Sequence, residues 1–149
     1  MPDGAVLADL IRATFRNIAF PRGTAAAVHD CEECDGVRKA FSRQAPFSLP
    51  SNVLECHHDS LPLMSPEAFH HFLPAYLIYS VNSPMSLVAQ SAWFSLSPPE
   101  LDQRYADRFG RFSESEKAVV LQVVEFMIEA DKDLQLDERE RARRYWRAA

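Results

Sequence analysis

Between Ala68 and Pro99 the chain has no aspartate, glutamate, lysine or arginine, although 25% of its 149 residues are charged. Such a gap first suggests a membrane span, which needs about 20 continuous apolar residues. Pro74 and the polar stretch Ser80, Asn82, Ser83, Pro84 and Ser86 interrupt it, and lipid could not satisfy their backbone groups. The gap therefore reads as two buried helices. Glycine is scarce, at 4 residues, and 47% of the chain is hydrophobic, which excludes collagen-like repeats and disorder. Cysteine numbers 3, an odd count that points to thiols or metal ligands and not to a disulfide framework. The N-terminus lacks the basic cluster, apolar run and small-residue cleavage site of a secretory signal, so a cytoplasmic location is expected. A net charge of −5 repels polyphosphate, so no nucleic-acid partner is expected.

Sustained alternation, Asn-Gly hairpin signals, internal repeats and low-complexity tracts are also absent. What is present is helical periodicity. Leu7, Leu10, Ile11, Phe15 and Ile18 form a stripe behind Asp3 as N-cap, and that helix ends before Pro21-Arg22-Gly23. A second helix is predicted from about Asp30 to Ser42, and a third from Ser51 to Leu61. Ser65-Pro66-Glu67 opens a helix to about Val81 that is apolar around most of its circumference, and Pro74 is expected to kink it. Met85 to Trp93 forms the next. Ser97-Pro98-Pro99-Glu100 and Ser113-Glu114-Ser115-Glu116 read as capping boxes, and Asp137 with Glu140 starts a last helix ending near Trp146. The expectation is an all-α fold, a single compact domain over residues 1–149 with seven or eight helices around the charge-free central pair.

The stretch His58-Asp59-Ser60-Leu61-Pro62-Leu63-Met64-Ser65-Pro66-Glu67-Ala68-Phe69, continued by Phe72-Leu73-Pro74-Ala75-Tyr76-Leu77, resembles a family of small bacterial proteins catalogued as a domain of unknown function. The resemblance takes in Cys31-Glu32-Glu33-Cys34 and Phe94-Ser95-Leu96-Ser97-Pro98-Pro99-Glu100, and covers about residues 29 to 130. It implies a stand-alone bacterial helical domain and carries no catalytic residue.

All five histidines and all three cysteines lie between His29 and His71. Cys31 and Cys34 would share a helix face, and Cys56, His57 and His58 add soft ligands, so a zinc site is conceivable. Against it, the second half lacks the usual two-residue spacer, and adjacent residues on a helix point about 100° apart. The structural alternative makes Cys34 and Cys56 small core residues and the histidines partly exposed. A redox role for Cys31 and Cys34 is weakened by Asp30, Glu32, Glu33 and Asp35, whose charge disfavours thiolate. The Glu-x-x-His pairs Glu55/His58 and Glu67/His70 resemble di-iron ligands but are too close in sequence for a bundle site. His29-Asp30 and His58-Asp59 look like the ligands of helical metal-dependent phosphohydrolases, without the following context. Asp131, Asp133 and Asp137 fail as a calcium loop, because Leu136 stands where glycine is needed and Ala142 where a bidentate glutamate is needed. The C-terminal arginines follow acids along one helix, as its dipole favours.

The leading expectation is a non-enzymatic domain that binds another protein through the acidic face Asp30, Glu32, Glu33 and Asp35. An immunity or regulatory partner of a basic protein would suit it. No cofactor is predicted on this reading. The alternative is a metal-dependent enzyme or module stabilised by zinc or another divalent metal, using Cys31, Cys34, Cys56, His57, His58 and His70. An exposed Phe or Trp on the last helix would favour a homodimer.

Overall fold

The computed structural model describes residues 2–19, 26–27, 29–41 and 44–147. Local signals set the start of three helices. The Asp3 carboxylate accepts from the Val6 amide at 2.9 Å and opens α1 (Gly4–Phe15), which buries Leu7, Ile11 and Phe15. The Ser65 hydroxyl accepts from the Ala68 amide at 3.2 Å and opens α4 (Pro66–Asn82), with Pro66 where no amide partner is required. Ser113 and Glu116 form a reciprocal capping box at the start of α7 (Glu114–Ala130).

α4 runs through Pro74 and buries Phe69, Phe72, Leu73, Tyr76 and Leu77 on several sides, so neighbours must cover it all round. α1, α5 (Leu87–Leu96), α6 (Gln103–Phe109) and α7 pack against it. α8 (Leu136–Trp146) packs on α7 and closes back onto the end of α5, where the Trp146 indole donates to the Leu96 carbonyl at 3.0 Å. With α2 (Glu32–Phe41) and α3 (Ser51–Cys56), eight α-helices and no β-strand are found among the described residues. The architecture is all-α, as the periodicity requires. No described helix is long and apolar enough to cross a membrane.

Several boundaries differ from those the sequence suggests. The third helix stops at Cys56, because the chain turns there and the Tyr76 hydroxyl takes the His57 carbonyl at 2.7 Å. Leu61–Leu63 then forms a separate 3-10 turn around Pro62, which lacks an amide. Ser97 does not open a helix. It ends α5, with both its amide and its hydroxyl bonded to the Trp93 carbonyl, and Asp102 caps α6 instead. Gln135 precedes α8, with Glu138 reaching back to its amide. The expected break at Pro21-Arg22-Gly23 and the end of α2 at Ser42 lie outside the described residues.

Candidate functional site

The first turn of α2 and the turn after α3 face each other across a depression of about 330 Å³. Glu32, Glu33 and Gly36 line one side, and Cys56, His57, Asp59, Ser60 and Leu63 line the other. Both walls are anchored. α2 buries Cys34, Val37 and Phe41, and Arg38 donates to the carbonyls of Ala27, at 3.1 Å, and His29. On the opposite wall His57 Nδ1 and Ser60 Oγ share a hydrogen bond of 3.2 Å, His57 packs edge-on against Phe41, and His58 Nδ1 meets Ser91 Oγ at 2.8 Å. Burial pushes the Tyr76 hydroxyl, which holds the His57 carbonyl, above the ordinary tyrosine range, and the Asp59 charge adds to the effect.

Asp30, Glu32, Glu33 and Asp35 are all exposed. They do not act as one set. Asp35 pairs with Arg38 at 2.6 Å, and Asp30 lies outside the depression, whereas Glu32 and Glu33 are joined there by Asp59. Among the described residues no cation lies within 4 Å of Glu32, Glu33 or Asp59. The depression is therefore a walled concentration of carboxylate that no described cation neutralises.

The sulfur and imidazole residues are distributed among different partners. Cys31 is exposed and its sulfur accepts from the Cys34 amide at 3.4 Å. Cys34 is buried, and that burial pushes its thiol up, with the Cys31 sulfur adding. Cys56 is exposed, not a core residue. His70 donates to Glu116 at 3.0 Å and packs against Phe112, and it does not line the α2 depression. His71 is buried, in contrast to the expectation of exposed histidines, and its Nδ1 donates to the Ala19 carbonyl at 2.8 Å. The two Glu-x-x-His pairs also diverge: Glu55 accepts from Tyr79 while His58 meets Ser91, and Glu67 pairs with Arg111 while His70 meets Glu116. Among the described residues no group of three or more His, Cys, Asp or Glu is placed to hold a metal ion.

Two further features escape sequence reasoning. A cleft of about 410 Å³ between α1, α3 and α4 carries Arg12, Tyr79 and Glu55 beside Phe47 and Ile78. There Tyr79 donates to Glu55 and Arg12 pairs with Asp9. α5 buries Val88, Ala89, Ala92, Trp93 and Leu96 but leaves Leu87 and Phe94 exposed on its outer side. The helix is apolar all round, so its sequence does not say which face lacks a cover. On α8, Trp146 is fully buried, so the condition set for a homodimer through that helix is not met.

A family model described as a family of unknown function, DUF6714, matches residues 7–149, and the chain belongs to that family. No curated protein and no solved structure matches the chain.

Proposed function

We propose that this protein is a binding module for another protein of basic character, with Glu32, Glu33 and Asp59 as the receiving carboxylates. The observation that carries the reading is their convergence, without cations of their own among the described residues, on one walled depression about 330 Å³ in volume. A Lys or Arg side chain entering it would gain charge-assisted hydrogen bonds, and the net charge of −5 would steer a basic partner toward the encounter. His57 and Ser60 support the wall by bonding one another, which serves a fixed receptacle better than a reacting centre. An immunity or regulatory role, in which the domain covers a basic toxin or enzyme, is the biological form that fits this chemistry.

The test compares affinity capture by the wild type with that by the triple variant Glu32→Gln, Glu33→Gln, Asp59→Asn, at low and at high salt. All three side chains are exposed, so the variant should fold. A basic protein retained by the wild type, and lost with the variant or at high salt, supports the proposal. Equal retention by both proteins, or no basic protein retained at all, refutes it.

A further inference from the structure

We infer that the outer face of α5, with the groove it forms against α7 and the start of α8, docks an amphipathic helix of a partner whose apolar side is flanked by lysine or arginine. The inference rests on the protein-binding reading but not on the carboxylates of the α2 depression.

The surface is apolar where a surface helix is ordinarily charged. Leu87 is 62% exposed, Phe94 is 66% exposed and Met85, just before the helix, is 59% exposed. Leu87, Gln90 and Phe94 recur at three- and four-residue spacing, so they form one stripe along the helix. α5 lies within the charge-free span and offers no charge of its own. Beside the stripe runs a groove of about 210 Å³, with Ala89, Gln90 and Trp93 on one wall and Met127 and Leu134 on the other. That volume admits one or two aliphatic side chains, the usual anchors of a helix laid in a groove.

Trp93 gives an independent indication. It is 3% exposed, lines the groove, and among the described residues its indole N–H meets no acceptor. Buried indoles ordinarily find one, as Trp146 does with the Leu96 carbonyl. A helical ligand carrying a side-chain oxygen into the groove would supply it.

Charge selects the occupant. Asp131 and Glu138 line the groove, and among the described residues neither meets a cation within 4 Å. The apolar stripe is thus bordered by carboxylate along the groove, which matches a basic flank on a partner helix. A second copy of this chain would instead set the same carboxylates against one another.

The test is an NMR titration of the isotope-labelled full chain with a synthetic amphipathic peptide of leucine and lysine, about four helical turns long, with one glutamine on its apolar face to offer an oxygen to Trp93. The same composition in scrambled order serves as control. The expected result is that the Trp93 indole signal and the amides of Ala89 to Phe94 shift with the amphipathic peptide and not with the scrambled one. Affinity should fall about tenfold or more in Phe94→Glu and likewise in Leu87→Lys, both exposed positions. An unchanged Trp146 indole signal would report that these variants remain folded. Shifts confined to Glu32, Glu33 and Asp59 would overturn this surface while leaving the acidic depression standing. Equal binding of the scrambled peptide, insensitivity to both variants, or no shift on α5 would also overturn it. So would a wild-type dimer that Phe94→Glu converts to monomer, because the occupant would then be a second copy.

Discussion

Arg108 is a cation buried to 3% exposure with no carboxylate against it among the described residues. Its Nε and Nη2 donate to the Met64 carbonyl at 3.2 and 2.8 Å, Nη2 also reaches the Pro62 carbonyl at 2.8 Å, and the guanidinium lies over the rings of Phe69 and Tyr105. Burial lowers its pKa, yet a guanidinium stays charged, so carbonyl dipoles and ring faces supply the compensation. It ties α6 to the turn that leads into α4. Arg108→Ala should therefore cost about 2–4 kcal/mol, from carbonyls left without donors and a poorly filled site. A urea titration checks this, and a loss below about 0.5 kcal/mol, the size of an ordinary surface change, would refute the role. His71 makes a pH-dependent contribution. Its burial, with His70 acting in the same direction, holds its pKa below the ordinary 6.5. The unfolded chain then takes up a proton that the folded chain resists, so this part of the stability is full above about pH 6.5 and lost as pH falls through that value. His71→Gln can keep a donor toward the Ala19 carbonyl while removing the titration. Wild type should lose more stability than the variant between about pH 7.5 and 5.5. Parallel losses in urea midpoint would contradict the assignment.

At the scale of elements, α1 and α4 meet more closely than side chains allow. A Cβ on Gly4 would stand 2.3 Å from the Val81 carbonyl oxygen, which belongs to backbone and cannot turn aside. Gly4→Ala should push the N-terminus of α1 off α4, at a cost of about 1–3 kcal/mol despite alanine's better helix propensity. A thermal melt decides the sign, and a stabilised variant would show that the contact gives way freely. The sequence made some of this layer legible and not the rest, for a physical reason. Asp3, Ser65 and Ser113 bond amides three residues ahead, so the signal and its effect lie in the same short segment. The end of α3 depends on Tyr76, which is distant in sequence, so Ser51 to Leu61 reads locally as one helix. Ser97 carries the residue type of an N-cap, but its hydroxyl turns back to Trp93. The candidate site follows the same division. The acidity of Glu32 and Glu33 was readable, whereas their meeting with Asp59 is tertiary, and so is the absence of a cover over Phe94.

At the scale of the whole molecule, the chain's last described helix returns to its middle. Trp146 lies fully buried against Phe109 and Phe112, its N–H bonds the Leu96 carbonyl, and the Tyr145 hydroxyl donates to the Pro98 carbonyl at 2.9 Å. These contacts join the end of α5 to α8, the same two helices whose Trp93 and Glu138 line the docking groove. Packing and binding are thereby coupled through α8. Trp146→Ala should cost about 3–5 kcal/mol, a large part of the roughly 5–15 kcal/mol that holds a domain together, because no nearby side chain replaces the indole. Trp146→Phe keeps most of the ring volume and loses the hydrogen bond, so its cost should be smaller, about 1–2 kcal/mol. The milder variant isolates the coupling. It should remain folded by circular dichroism and bind the amphipathic leucine–lysine peptide more weakly than the wild type does, since Glu138 sits on α8, the helix that Trp146 secures at its far end. No α8 residue lines the Glu32, Glu33 and Asp59 depression among the described residues, so capture of a basic protein there should be unaltered. Equal weakening at both surfaces would mean that Trp146 acts through global stability alone, and an unchanged peptide affinity would mean that the groove does not depend on how α8 is held.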